Sequence, residues 1–110
     1  RLAQDLARFE RSRQDRGIFE DLIRAGATPG LLARLFGMPE AEVRRQRRVI
    51  APESAKGGRP RQPDDADLPQ IDAAWRDLLR EDLAERERYW RLAAAFPGYP
   101  LAALELVVGR

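Results

Sequence analysis

Large apolar residues recur along this chain at intervals of three and four, the period of a helix, and no stretch shows the strict alternation of a strand. Leu2, Leu6 and Phe9 form one stripe, and Phe19, Leu22 and Ile23 form another. Together they predict a helix from about Leu2 to Ala25 that Gly17 either bends or divides in two. Gly26 fits the residue beyond its end, where a left-handed backbone is needed. Thr28 is a good N-cap, and Pro29 stands at the first helical position, where its missing N–H costs nothing. A short helix follows through Leu31, Leu32, Leu35 and Phe36, and Gly37 stops it. Pro39 opens the next, Glu40 to about Ile50, with Glu40 and Glu42 in the first turn and arginines after them, an order that complements the helix dipole.

Residues 51–69, APESAKGGRPRQPDDADLP, hold four prolines and two glycines without an apolar period and predict a linker. Beyond it, Ile71, Trp75, Leu78 and Leu79 predict a buried helical face over about Gln70–Arg80. Asp82 and Glu85 have capping-box spacing for a helix over Leu83–Phe96, whose buried face holds Leu83, Tyr89, Trp90 and Ala93. The two segments can also be read as one continuous helix. Pro97-Gly98-Tyr99-Pro100 forces a turn, and Leu101–Val108 predicts a last short helix. The expected fold is all-α: five to six helices with a central helix-turn-helix. Its parts are an N-terminal block over 1–50, a basic linker over 51–69 and a C-terminal helical lobe over 70–110.

Charge adds an asymmetry that the helical pattern hides. Residues 1–62 carry fourteen Lys and Arg against eight Asp and Glu, whereas residues 63–110 carry six Arg against ten acids. A basic half joined to an acidic half suits a molecule with one face toward a polyanion and another toward solvent or a protein. All of its cations but Lys56 are Arg, the residue that pairs bidentately with phosphate and guanine, although a G- and C-rich genome also favours it. The absence of Cys and His excludes a thiolate zinc site and imidazole acid–base chemistry. No nucleophile–base pair stands out, so neither an enzyme nor a cofactor is expected. No apolar run is long enough for a membrane span, and no signal peptide is apparent. The chain opens on Arg1 rather than Met, which suggests a fragment of a longer protein.

The segment TPGLLARLFGMPEAEVRRQRRVI carries the functional expectation. A helix-turn-helix needs a small residue where its helices cross, and Ala33 is there. Four residues on it needs a positive φ, and Gly37 is there. Leu32, Phe36, Met38 and Val43 fall where the helices must pack. The opposite face of the second helix offers Glu40, Ala41, Arg44, Arg45 and Arg48 to a DNA groove. Gln46 stands where an apolar residue is usual, leaving Arg47 and Ile50 to continue the contact. An ordinary helical hairpin with a solvated arginine face is the plainer alternative. After it, Lys56-Gly57-Gly58-Arg59-Pro60-Arg61 combines an extended backbone with cations, either as a minor-groove arm or as a linker touching phosphates. Trp75, Tyr89 and Trp90, at helical spacing, are expected in the core rather than as base-stacking platforms. The stripe of Leu2, Leu6 and Phe9 either joins this core or pairs with another subunit.

The run GATPGLLARLFGMPEAEVRRQRR, then KGGRP and the Trp-bearing IDAAWRDLL, resembles a domain family of unknown function encoded on integrative and conjugative elements. That family is distantly similar to FlhC, the DNA-binding subunit of the flagellar master activator. The resemblance implies an activator of element transfer, working with an FlhD-like or ParB-like subunit. FlhC proteins carry a Cys-ligated zinc, and with no Cys here that role is not carried over. The expectation is a sequence-specific regulator of double-stranded DNA at the bacterial nucleoid in the cytoplasm, acting as a homo- or hetero-oligomer. Thr28, Arg44, Arg45, Arg47, Arg48, Lys56, Arg59 and Arg61 form its DNA-binding set, Thr28 through the helix-start backbone N–H. The alternative is an adaptor that binds a regulatory protein through its C-terminal helices and touches DNA weakly.

Overall fold

A computed structural model describes the backbone of residues 2–53 and 61–109, with side chains from Arg13 onward in those ranges. Among the described residues it holds six α-helices and no strand. They are α1 (Leu2–Arg24), α2 (Pro29–Phe36), α3 (Glu40–Ile50), α4 (Leu68–Arg80), α5 (Glu85–Ala95) and α6 (Leu101–Val108).

Gly17 lies inside α1, which is one helix and not two. The helix ends at Gly26, whose φ of 89° lets Ala27 N–H reach the Leu22 carbonyl at 3.0 Å and Gly26 N–H the Ile23 carbonyl at 3.1 Å. This pair of bonds is a Schellman motif, open to Gly because a Cβ disfavours the left-handed region. The two carbonyls that follow serve a neighbour. Leu101 N–H donates to Ala25 at 2.7 Å and Ala102 N–H to Gly26 at 3.1 Å, so the end of α1 satisfies the start of α6. Thr28 caps α2 through its hydroxyl, which accepts from Leu31 N–H at 3.1 Å.

The C-terminal helices depart from the sequence pattern in three respects. First, α4 begins two residues early at Leu68, inside the expected linker, with Pro69 in the first turn where Pro is tolerated. Second, a break at residues 81–84 separates α4 from α5, which rules out one continuous helix and lets the two pack on each other. Third, the Asp82–Glu85 capping box does not form. Ala84 is the N-cap, and there is no side-chain cap hydrogen bond. Leu79, expected inside, is 50% exposed, and Leu92 fills the core position on α5.

All six helices contribute to one core. Ile18, Phe19, Leu22 and Ile23 of α1 meet Leu32, Val43, Ile71, Leu92, Leu101 and Leu104 from the other five. Helix α5 rests on both α1 and α2, while α6 bridges α4 and α5. Tyr89 is buried and Trp75 packs on it with centroids 4.7 Å apart. Burial, and then the nearby carboxylates of Glu85 and Glu105, raise the pKa of the Tyr89 phenol. Polar ties reinforce the joint between the N- and C-terminal parts. Arg86 pairs with Asp15 at 2.9 Å, Trp90 Nε1 donates to Asp21 at 3.0 Å, and Arg34 pairs with Glu85. Leu2, Leu6 and Phe9 have side chains outside the described residues. Among the described residues no helix is long and apolar enough to cross a membrane.

Candidate nucleic-acid interface

The corner between α2 and α3 is built by Gly37. Its φ of 61° and ψ of 41° place it in the left-handed region, and Met38 N–H folds back to the Ala33 carbonyl at 3.2 Å. Pro39 then starts α3, with Glu42 and Val43 N–H groups both returning to its carbonyl at 3.1 Å. Phe36 packs edge-on against Phe19, with centroids 5.1 Å apart. Val43 is fully buried, and α1 supports α2 and α3 together. Ala33, small and half-buried, packs against the core.

With Val43 turned inward, the 3.6-residue period turns Ala41, Arg44, Arg45, Arg48 and Val49 outward, and all five are exposed. Val49, at 76%, is the most exposed large apolar residue among the described ones. The face is not a bare row of cations. Arg44 pairs with Glu40 at 3.3 Å, one turn back. Arg45 grips Glu42 along one side of its guanidinium, Nε donating to Oε2 at 2.9 Å and Nη2 to Oε1. Arg44 keeps 56% and Arg45 65% of its side-chain surface in solvent, and the single-bonded Arg44–Glu40 pair is weak enough for another anion or acceptor to replace it. Arg48 is exposed, and among the described residues no carboxylate pairs with it. Arg47 is different: it is half-buried and engaged within the molecule, so it stands off the outward face.

Gln46 explains its own departure from the apolar pattern. Its carbonyl accepts from Arg16 Nη1 of α1 at 2.7 Å, and its amide donates to Glu42 Oε1 at 3.0 Å. A polar bridge therefore replaces an apolar contact between α1 and α3. Arg16, Arg45, Gln46, Val49 and Ile50 border a shallow cleft of about 180 Å³ beside this bridge. Arg16 does not stand out in the sequence, and Glu42 does so only as an acid in the first turn of α3. The one signal was the polar residue at a packing position, which called for a partner on the facing helix.

The other expected residues are not gathered on this face. Thr28 serves α2 as its cap, and its hydroxyl also donates to Glu105 at 3.3 Å. The Glu40 carboxylate lies against Gly30 in the same turn, 3.2 Å from where a Cβ would stand. Two carboxylates thus flank the helix start where a phosphate was expected. Arg61 lies over the Tyr99 ring at 4.9 Å, pairs with Asp64 at 3.7 Å and reaches the Gly98 carbonyl at 3.5 Å. Tyr99 holds that stretch in place, its hydroxyl accepting from Asp64 N–H and donating to Asp67. Lys56 and Arg59 lie outside the described residues.

Among the described residues no group of three or more acidic side chains is placed to hold a metal ion. The arrangement can pair with anions and with the acceptor edges of bases, through three exposed guanidinium groups on one helix face. No curated protein and no solved structure gives a match to the chain. A family model does match, over residues 1–96, and the chain belongs to that family, the proteins of unknown function DUF2857.

Proposed function

We propose that this protein is a sequence-specific DNA-binding regulator that lays α3 in the major groove. The observation that carries the proposal is the outward face of α3, where Arg44, Arg45 and Arg48 stand exposed beyond a Gly37 corner braced by α1. An α-helix fits that groove, and arginines along its outer face can reach both base edges and phosphates. The basic half of the chain, which contains α3, favours the same polyanion. The resemblance to FlhC-like regulators supports an activator of conjugative-element transfer, acting at the nucleoid with a partner subunit.

Selection from a randomised pool of DNA duplexes, followed by titration at several salt concentrations, tests the proposal. The wild-type chain is expected to enrich a defined site. Arg48→Ala should reduce the slope of log K against log salt by about 0.9 for each phosphate contact removed. Arg44→Ala and Arg45→Ala should each weaken that site by roughly 5- to 150-fold if they carry base contacts. No enrichment, or an affinity and salt slope unchanged when all three are replaced, would refute it.

The adaptor reading draws on a separate observation: Leu79 of α4 and Leu106 of α6 are 50% and 60% exposed on the acidic, C-terminal part of the chain. Co-purification with a neighbouring gene product, lost on Leu106→Glu, together with no shift of DNA by the chain alone, would favour it.

A further inference from the structure

We infer that Glu42, held by Gln46 and Arg16, positions Arg45 to read a guanine rather than to contact a phosphate. The inference rests on the DNA-binding reading of α3 and names what one of its arginines recognises. A continuous chain of hydrogen bonds leads from α1 to the outer face of α3. Glu20 accepts from Arg16 Nε at 3.3 Å, and Arg16 Nη1 donates to Gln46 Oε1 at 2.7 Å. Gln46 Nε2 donates to Glu42 Oε1 at 3.0 Å, and Glu42 takes both inner N–H groups of Arg45.

The chemistry of the two possible targets differs. A guanidinium has five N–H donors in a rigid fork, and Glu42 occupies the side that contains Nε. The donors at the far edge, on Nη1 and Nη2, remain to pair with two acceptors side by side, which is what guanine O6 and N7 present in the major groove. Phosphate recognition depends chiefly on net charge, and a guanidinium half-neutralised by its own carboxylate is a poor choice for it. A base edge is read by direction instead, so a donor fork pinned before binding gains most there, because less side-chain freedom is lost on contact. Hydrogen bonds from Arg45, and then from Gln46, hold the Glu42 carboxyl down at about 2, so the clamp stays charged at any pH where a duplex is intact. Arg44 lacks this bracing: only one bond, at 3.3 Å, ties it to Glu40.

The test uses the full chain and the duplex selected from the randomised pool. Each position of that duplex is then substituted in turn, and each guanine is also replaced by 7-deazaguanine, which lacks the N7 acceptor. Wild type is expected to lose about tenfold or more at one guanine, by base substitution and by 7-deazaguanine alike. In Glu42→Gln that preference should fall at least fivefold while binding to unrelated DNA tightens and the salt slope steepens by up to about 0.9, as Arg45 regains its full charge. Arg45→Lys, which keeps the charge and lacks the fork, should lose the same preference with the salt slope unchanged, and does not depend on how Glu42→Gln folds. Selective binding in which Glu42→Gln keeps the guanine preference, or weakens every duplex equally, would overturn this inference alone. Binding that selects no sequence would overturn it together with the DNA-reading proposal.

Discussion

The corner at Gly37 can be tested by giving the same substitution to two glycines and expecting opposite signs. A Cβ added at Gly37 meets no heavy atom within 4 Å, so Gly37→Ala changes backbone energy and not packing. Its φ of 61° costs an L-residue roughly 1–2 kcal/mol. Stiffening the unfolded chain returns about 0.4–1 kcal/mol, leaving a net loss near 1 kcal/mol. A Cβ at Gly17 also meets nothing within 4 Å, but Gly17 lies in the interior of α1. There Ala is the better residue by about 0.5–1 kcal/mol. At roughly 2.1 cal/mol/K of unfolding entropy per residue, each kcal/mol moves the Tm of a chain of 110 residues by about 4 °C. Gly37→Ala should lower Tm by about 4 °C and Gly17→Ala raise it by about 2–4 °C in thermal unfolding followed by circular dichroism. Gly37→Asn should recover part of the loss, because Asn tolerates the left-handed region. Gly26→Ala should lose more than Gly37→Ala, since its φ is 89° and its Cβ would stand 3.1 Å from that of Pro100. A Gly37→Ala protein as stable as wild type would refute the left-handed corner, and with it the angle at which α3 is presented.

Burial separates two leucines: Leu32→Ala, at a fully buried site, should cost about 2–5 kcal/mol in urea unfolding. Leu106→Ala, at a largely exposed one, should stay within about 0.5 kcal/mol, and equal losses at the two sites would contradict the packing described. The Glu42 carboxyl should titrate near 2, well below its ordinary 4.5, when followed by carbon NMR, and move back toward 4.5 in Arg45→Ala. Because its folded value is depressed, whatever stability it contributes is present above the unfolded value and disappears as pH falls through about 2. A wild-type midpoint near 4.5 would show that the clamp on Arg45 does not form.

The boundaries of α2, α3 and α6 could be read from residues alone, because Thr28, Pro29, Gly37, Pro39 and Pro100 act on the backbone within a turn of where they stand. The left-handed conformations of Gly26 and Gly37 belong to the same class of local energy. The arginine face of α3 was legible for a related reason, since one buried residue, Val43, sets which way every other side chain of a helix points. Other features depended on partners distant in the chain. Gln46 was an anomaly until Arg16, thirty residues away, supplied its partner. The Tyr99 ring that lies beneath Arg61 comes from the turn before α6. The Glu105 carboxylate that accepts from the Thr28 hydroxyl comes from α6, seventy-seven residues away. Leu79 had the helical spacing of a core residue and yet lies half in solvent, because α5 and α6 cover other faces of α4. Local sequence determines helices, caps and corners through forces that act over one turn. Which charges are already taken, and which remain to meet a ligand, was decided only when tertiary packing brought distant segments within hydrogen-bond range.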